Sequence, residues 1–283
     1  MRFFKQLHYW YRKYLPKTIQ DFFISIKKRY NLTKIFISYF NFFINLKKKA
    51  RNSDLSWMAS VDDDLSTQNN ELIQKLINWA NTALDLKLST DTNLPSNMFL
   101  NLYPGEHYKL LAAIAYDESP QNIVEVGTFT GMSARVLLDY SSSSSKITTF
   151  DLNPWDSYPT YLTNNDFKNK RITQFLDDLS IEEVFNKHKE FFLEADLIFL
   201  DAPKDGKFEK NLLIKFSELN FPIKKRYLIL DDIRYKEMFE IWRLIQSPKI
   251  DATSFGHWSG TGIVDISKGI KIEDIGLFWQ LTI

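Results

Sequence analysis

The sequence predicts a doubly wound α/β fold: a mostly parallel sheet with helices on both faces, ending in an antiparallel hairpin. Three observations predict it. Short β-rich apolar runs recur from residue 122 onward, helical stretches separate them, and the last two runs are joined by only five residues, 257–261. Five residues are too few for a crossover helix, so that last pair must run antiparallel.

Taken in order, the apolar positions Leu72, Leu76, Ile77 and Ala80 fall on one helical face, with Thr67 or Asn70 as N-cap. A second helix is expected over 106–115. Strands follow at 122–127, 147–151, 172–176, 197–202 and 227–232, with helices at 132–140 and 236–245. The run of serines from Ser141 to Ser145 reads as a solvated loop. Residues 252–256 and 262–266 are the expected hairpin strands, which brings the sheet to seven. No internal repeat is present.

Composition bounds the chemistry. The 283 residues contain no Cys, which excludes disulfide scaffolds, thiolate zinc sites, iron–sulfur ligation and a Cys nucleophile. The four His are scattered and none lies in an H-E-x-x-H pattern. The net charge of +1 conceals a polarity: residues 1–51 hold 13 Lys/Arg against the single acid Asp21, so this arm carries +12 and the rest of the chain −11. Apolar and aromatic residues recur through the arm at helical spacing, from Ile19 to Tyr30 and from Leu32 to Leu46, so two amphipathic helices are expected, with basic clusters at their ends. Such helices suit docking on the main domain, on a second copy in a homodimer, or on an anionic membrane surface. No uninterrupted apolar run of about 18 residues and no signal-peptide pattern occurs, so the expected location is cytoplasmic, with at most peripheral membrane contact. No nucleic-acid module accompanies the basic arm, and nucleic acid is not an expected partner. The expected organisation is a basic helical arm at 1–52, a linker and helix at 53–100, and an α/β domain at 101–283.

The chemistry-bearing residues collect where strands should end. Gly127 and Gly131 stand where the first strand turns into a helix, so backbone can approach a ligand beside free helix N–H groups. Glu125 lies within an otherwise apolar strand and needs a partner, for which a cationic amino group or water on a ligand is one candidate. Asp151 closes the second strand 20 residues after Gly131, a spacing at which an acid can accept both hydroxyls of a ribose.

Glu125-x-Gly127-x-x-x-Gly131, Asp151, Asp178 and Asp201 resemble successive motifs of class I S-adenosylmethionine-dependent methyltransferases, over about residues 101–267. The resemblance implies a Rossmann-like fold and S-adenosylmethionine as cofactor. In its terms Glu125, Gly127, Thr128, Gly131 and Ser133 surround the methionine part, Asp151 holds the ribose, and Asp178 rather than Asp177 sits near the adenine. The segment Tyr103-Pro-Gly-Glu-His-Tyr is similar to one entering the cofactor pocket of small-molecule O-methyltransferases, making Glu106 and Tyr108 secondary candidates. A helix-capping role for Glu106 is the alternative.

Asp201-Ala-Pro-Lys204 and Asp231-Asp232 should meet in one crevice at the ends of the fourth and fifth strands. Three carboxylates there need a cation, and an all-oxygen set favours Mg²⁺, Mn²⁺ or Ca²⁺. Lys204 would then act as base if the nearby charge lowers its pKa. The block is similar to the metal site of cation-dependent catechol and caffeoyl-type O-methyltransferases. Asp201, Lys204 and Asp231 match it position by position, whereas Asp232 replaces a neutral amide, so the metal stays open. The alternative is that the acids simply pair with Arg234, Lys204 or Lys236. Without a metal, His257 is the other candidate base, because its ordinary pKa lies near neutrality. Trp155 and Trp258 are candidate walls for an acceptor. The expected reaction is methyl transfer from S-adenosylmethionine to a hydroxyl of a small molecule or glycan. The competing expectation is a non-catalytic scaffold recruited by its basic arm.

Overall fold

The computed structural model describes residues 70–88 and 97–272. The basic arm and its expected membrane, partner and homodimer contacts lie outside them. The described elements, in chain order, are α1 (Asn70–Asp85), α2 (Asn97–Leu100), α3 (Tyr108–Glu118), β1 (Asn122–Val126), α4 (Met132–Tyr140), β2 (Lys146–Phe150), α5 (Asn164–Lys168), β3 (Ile172–Phe175), α6 (Glu182–Glu194), β4 (Leu197–Leu200), α7 (Phe208–Glu218), β5 (Tyr227–Asp231), α8 (Lys236–Leu244), β6 (Lys249–Asp251) and β7 (Thr261–Asp265). Among the described residues no helix is long and apolar enough to cross a membrane.

The seven strands are ordered β3-β2-β1-β4-β5-β7-β6. The first five are parallel, and β7 pairs antiparallel with both β5 and β6. The sheet is therefore Rossmann-like and doubly wound, as the alternation predicts. Because β1 lies between β2 and β4, the chain reverses its direction of growth there, and the C-terminal ends of β1 and β4 open the crevice in which such sheets bind ligands.

Strand periodicity decides which helices cover which face. Val124, Val126, Ile198, Leu200, Leu228 and Leu230 pack with Phe185, Phe192, Leu213 and Phe216 of α6 and α7. The alternate residues Ile123, Leu197, Phe199, Tyr227 and Ile229 pack with Trp79, Leu111, Ala134 and Leu137 of α1, α3 and α4. With both faces covered, β1, β4 and β5 can be nearly continuous apolar runs, so any acid within them is exceptional.

Two expectations need correction. Residues 252–256 form no strand: the hairpin's first strand is β6, and Thr253–Phe255 is a single 3₁₀ turn. Asp251 causes this locally, since its Oδ1 accepts the Thr253 N–H at 2.9 Å and a short hydrogen bond from the Thr253 hydroxyl, which turns the chain out of the ladder. The second concerns the stretches after β3 and β4, which form the helices α6 and α7 although the sequence pattern does not single them out. Their apolar faces are Phe-rich, and β-propensity there masks the helical period.

Candidate functional site

The bend between β1 and α4 is built from glycine. Gly127 has φ +105° and Gly131 φ +74°, both in the region that L side chains rarely adopt. A Cβ on Gly127 would lie 1.9 Å from the carbonyl oxygen of Asp201, so the bend packs backbone to backbone on the end of β4. A Cβ on Gly131 would meet Leu162 at 2.6 Å. Gly131 caps α4, and the first-turn N–H groups of that helix have no carbonyl within the helix to accept them.

Glu125 is fully buried beneath this bend. Its Oε1 accepts the Ser133 hydroxyl at 2.5 Å and its Oε2 the Thr149 hydroxyl at 2.6 Å. Thr128 Oγ1 lies 2.6 Å from Thr149 Oγ1 and accepts Gln174 Nε2 at 3.1 Å, so a chain of donors from β3 converges on the carboxyl. Burial pushes the Glu125 pKa up to about 8, against the opposing effect of the two hydroxyls. Glu125 bonds Ser133 and Thr149, and Thr128 bonds Thr149 and Gln174, so these side chains tie β1, β2, β3 and α4 together beneath the bend.

Asp151 stands on the open side of the same bend. Its Oδ2 accepts the Phe129 N–H at 2.8 Å and its Oδ1 the Asn153 N–H at 2.9 Å, which fixes the carboxylate at the end of β2. Phe129, with φ +42°, is exposed and stands 5.1 Å from the Tyr158 ring. Past β3, Asp178 accepts the Ser180 N–H at 2.9 Å in the turn toward α6, while Asp177 lies 2.6 Å from His188 Nε2.

A second cluster occupies the ends of β4 and β5. Lys204 Nζ is 2.6 Å from Asp201 Oδ1, 2.7 Å from Asp232 Oδ2 and 3.4 Å from Asp231 Oδ2. Lys204 and Asp232 both hold left-handed backbones, φ +62° and +60°, which turn these side chains toward each other. The buried Glu209 fixes the Lys204 loop by accepting the backbone N–H groups of Lys204 at 2.7 Å and Gly206 at 3.2 Å. Burial alone would pull the Lys204 pKa down, but the three carboxylates outweigh it and hold the ammonium well above its ordinary range. Lys204 is thus a cation among the three carboxylates; the lowering on which its role as base depended requires the charge of a bound metal ion. Arg234 pairs instead with Asp251 at 2.7 Å.

His257 completes the cluster from the β6–β7 connection. Its Nδ1 is 3.1 Å from Asp231 Oδ1 and 3.3 Å from Asp232 Oδ1, and its Nε2 is 3.6 Å from Glu106 Oε2. Burial disfavours the imidazolium, yet Asp231 and Asp232 outweigh burial and raise its pKa to about 11. His257 therefore carries its proton at neutral pH in this arrangement, the reverse of a resting base. His107, at the N-cap of α3, is 3% exposed and 3.4 Å from Asp231 Oδ1. Glu106 does not cap that helix. Trp155 stacks on Phe167 at 4.8 Å, and the exposed Trp258 stands edge-on to His257 at 5.5 Å.

The all-oxygen dication expected on Asp201, Asp231 and Asp232 does not fit this arrangement. The Lys204 ammonium already sits among the three carboxylates and supplies their positive charge. Ser259 also donates a short hydrogen bond to Asp232 Oδ1.

No family model matches the sequence, and no curated protein matches it. Solved structures do. The chain is similar to an SAH-bound methyltransferase of Podospora anserina, at 15% identity and TM-score 0.40 over 80% of this chain and 97% of that one. It is similar to an O-methyltransferase of Bacillus cereus in complex with SAH, at 14% identity and TM-score 0.38 over 72% and 92%. A methyltransferase of Geobacter sulfurreducens matches at 15% identity and TM-score 0.38 over 59% and 78%.

Sequence reasoning missed His107, Thr149, Glu209 and Ser259. His107 was in view inside the Tyr103–Tyr108 segment, but its role depends on a hairpin that reaches it from 150 residues downstream. Thr149 and Glu209 carry no motif, and only burial distinguishes them from ordinary surface residues.

Proposed function

We propose that the chain is a class I S-adenosylmethionine-dependent methyltransferase that methylates a hydroxyl of a small molecule or glycan. The observation that carries this reading is the contact between the Gly127 bend and the end of β4, where a Cβ at Gly127 would lie 1.9 Å from the Asp201 carbonyl oxygen. It sets a nucleoside-type bend directly beside a carboxylate-ammonium cluster, the juxtaposition needed when cofactor and acceptor react in line.

In this reading Asp151 receives the ribose hydroxyls, the α4 N-terminus receives the carboxylate of the methionine part, and Phe129 with Tyr158 shields the nucleoside from water. When bound, the sulfonium supplies an electrophilic methyl carbon: the acceptor oxygen forms the new C–O bond as the C–S electron pair returns to sulfur. Lys204 and His257 contribute fixed positive charge toward the acceptor oxygen, favouring its developing alkoxide. Asp201 takes the hydroxyl proton. Burial raises its pKa, with Lys204 opposing, and its side chain retains 32% exposure to meet an acceptor.

Asp201→Asn tests the assignment. It is expected to lower kcat about 10²–10⁴-fold while S-adenosylhomocysteine affinity changes less than about tenfold. Unchanged turnover of Asp201→Asn, measured with radiolabelled methyl donor, would remove Asp201 from the proton path.

A further inference from the structure

We propose that Glu106, His107 and His257 form a three-ligand site for a borderline divalent cation of the Zn²⁺ or Co²⁺ type, separate from the Lys204 carboxylates. One candidate ligand atom from each residue lies within 4.8 Å of the other two. One pair, His257 Nε2 and Glu106 Oε2 at 3.6 Å, is near the ~3.3 Å that two ~2 Å bonds at a tetrahedral angle give.

The independent observation is His107. It is 3% exposed, and neither ring nitrogen has a hydrogen-bond partner. Buried polar atoms in folded proteins are almost always satisfied; Asp231 stands 3.4 Å from Nδ1, which leaves the buried Nε2 with no partner of any kind, and such an atom calls for a ligand. Asp231 supplies the outer support. Its Oδ1 lies 3.1 Å from Nδ1 of His257 and 3.4 Å from Nδ1 of His107. A carboxylate addressing the same nitrogen on two rings leaves the other nitrogen of each ring for a metal, as outer-shell carboxylates do for metal-binding histidines. The backbone holds the rings together as well: Gly105 N–H donates to the Gly256 carbonyl at 3.2 Å, and Trp258 N–H to the Gly105 carbonyl at 3.0 Å.

The donor set selects the ion. Two imidazoles and one carboxylate favour Zn²⁺, Co²⁺ or Fe²⁺ over Mg²⁺, which prefers all-oxygen octahedra. The alternative grouping of Asp231, Asp232 and His257 is less suited, because Asp232 is engaged by Lys204 and Ser259. Coordination displaces the His257 Nε2 proton, and the bound cation then supplies the positive charge that the imidazolium supplies without it; the proposal does not depend on the methyltransferase reading, and its readout is metal binding rather than turnover.

The full chain, stripped with chelator and dialysed, is titrated with Co²⁺ by visible absorption, with Zn²⁺ by competition and with Mg²⁺ by calorimetry. One equivalent of Co²⁺ with d–d bands, displaced by Zn²⁺ and bound at least about 100-fold more tightly than Mg²⁺, is expected. His257→Gln and Glu106→Gln, each checked for retained fold by circular dichroism, should weaken Co²⁺ at least about tenfold, and Asp201→Asn should leave it unchanged. Absence of bands, Mg²⁺ binding as tight as Co²⁺, wild-type Co²⁺ affinity in either ligand variant, or loss of binding in Asp201→Asn would each overturn the site.

Discussion

The carbonyl oxygen of Asp201 occupies the space where any side chain at Gly127 would begin. With φ at +105°, the backbone there is also closed to L residues on torsional grounds. Gly127→Ala is therefore expected to cost at least about 1–3 kcal/mol from backbone strain alone, with a further cost as the ends of β1 and β4 separate. Chemical denaturation checks this, and wild-type stability in Gly127→Ala would mean that the bend is looser than described.

Glu125 makes a pH prediction. Its folded pKa, about 8, lies above its ordinary 4.5, so the folded chain binds this proton more tightly than the unfolded chain does. The stabilisation is full below about pH 4.5 and is lost as pH rises through 8. Denaturation midpoints should fall across that window, by up to a few kcal/mol in free energy. In Glu125→Gln, which keeps the shape and does not ionise, this part of the slope should vanish. An identical slope in the variant would assign the effect to another group.

Among the described residues, Lys204 is the ammonium that hydrogen-bonds Asp201, Asp231 and Asp232. Removing it leaves Asp201 without its cation and Asp231 and Asp232 with His257 alone, so Lys204→Met should destabilise by about 3–5 kcal/mol. Adding Asp232→Asn to Lys204→Met should recover part of that loss, because one of the stranded charges is gone. Strict additivity of the two changes, measured by a double-mutant cycle, would show that the pair does not interact.

Much of this architecture was legible in the sequence, for identifiable reasons. The parallel strands announced themselves because a sheet buried on both faces leaves continuous runs such as Leu197–Leu200. Gly127 and Asp201 were found because strand ends in this topology converge whatever the loops do. Glu125 was found without its partners: spacing shows that an acid lies in a strand, not which side chains will satisfy it, and Ser133 and Thr149 reach it from two other elements. The charge states of Lys204 and His257 were likewise inaccessible, because beyond the neighbouring Asp201 of Lys204 they depend on carboxylates 26–28 residues away in sequence. His107 escaped because its burial is a property of packing, and no local pattern carries it.

Calorimetric titration of the full chain with S-adenosylhomocysteine, beside NAD and beside the Asp151→Ala variant, tests the central claim most directly. The account predicts saturable one-to-one binding of the thioether nucleoside, at least about tenfold weaker in Asp151→Ala, and none for NAD. Binding of NAD without S-adenosylhomocysteine, or equal affinity in Asp151→Ala, would contradict it.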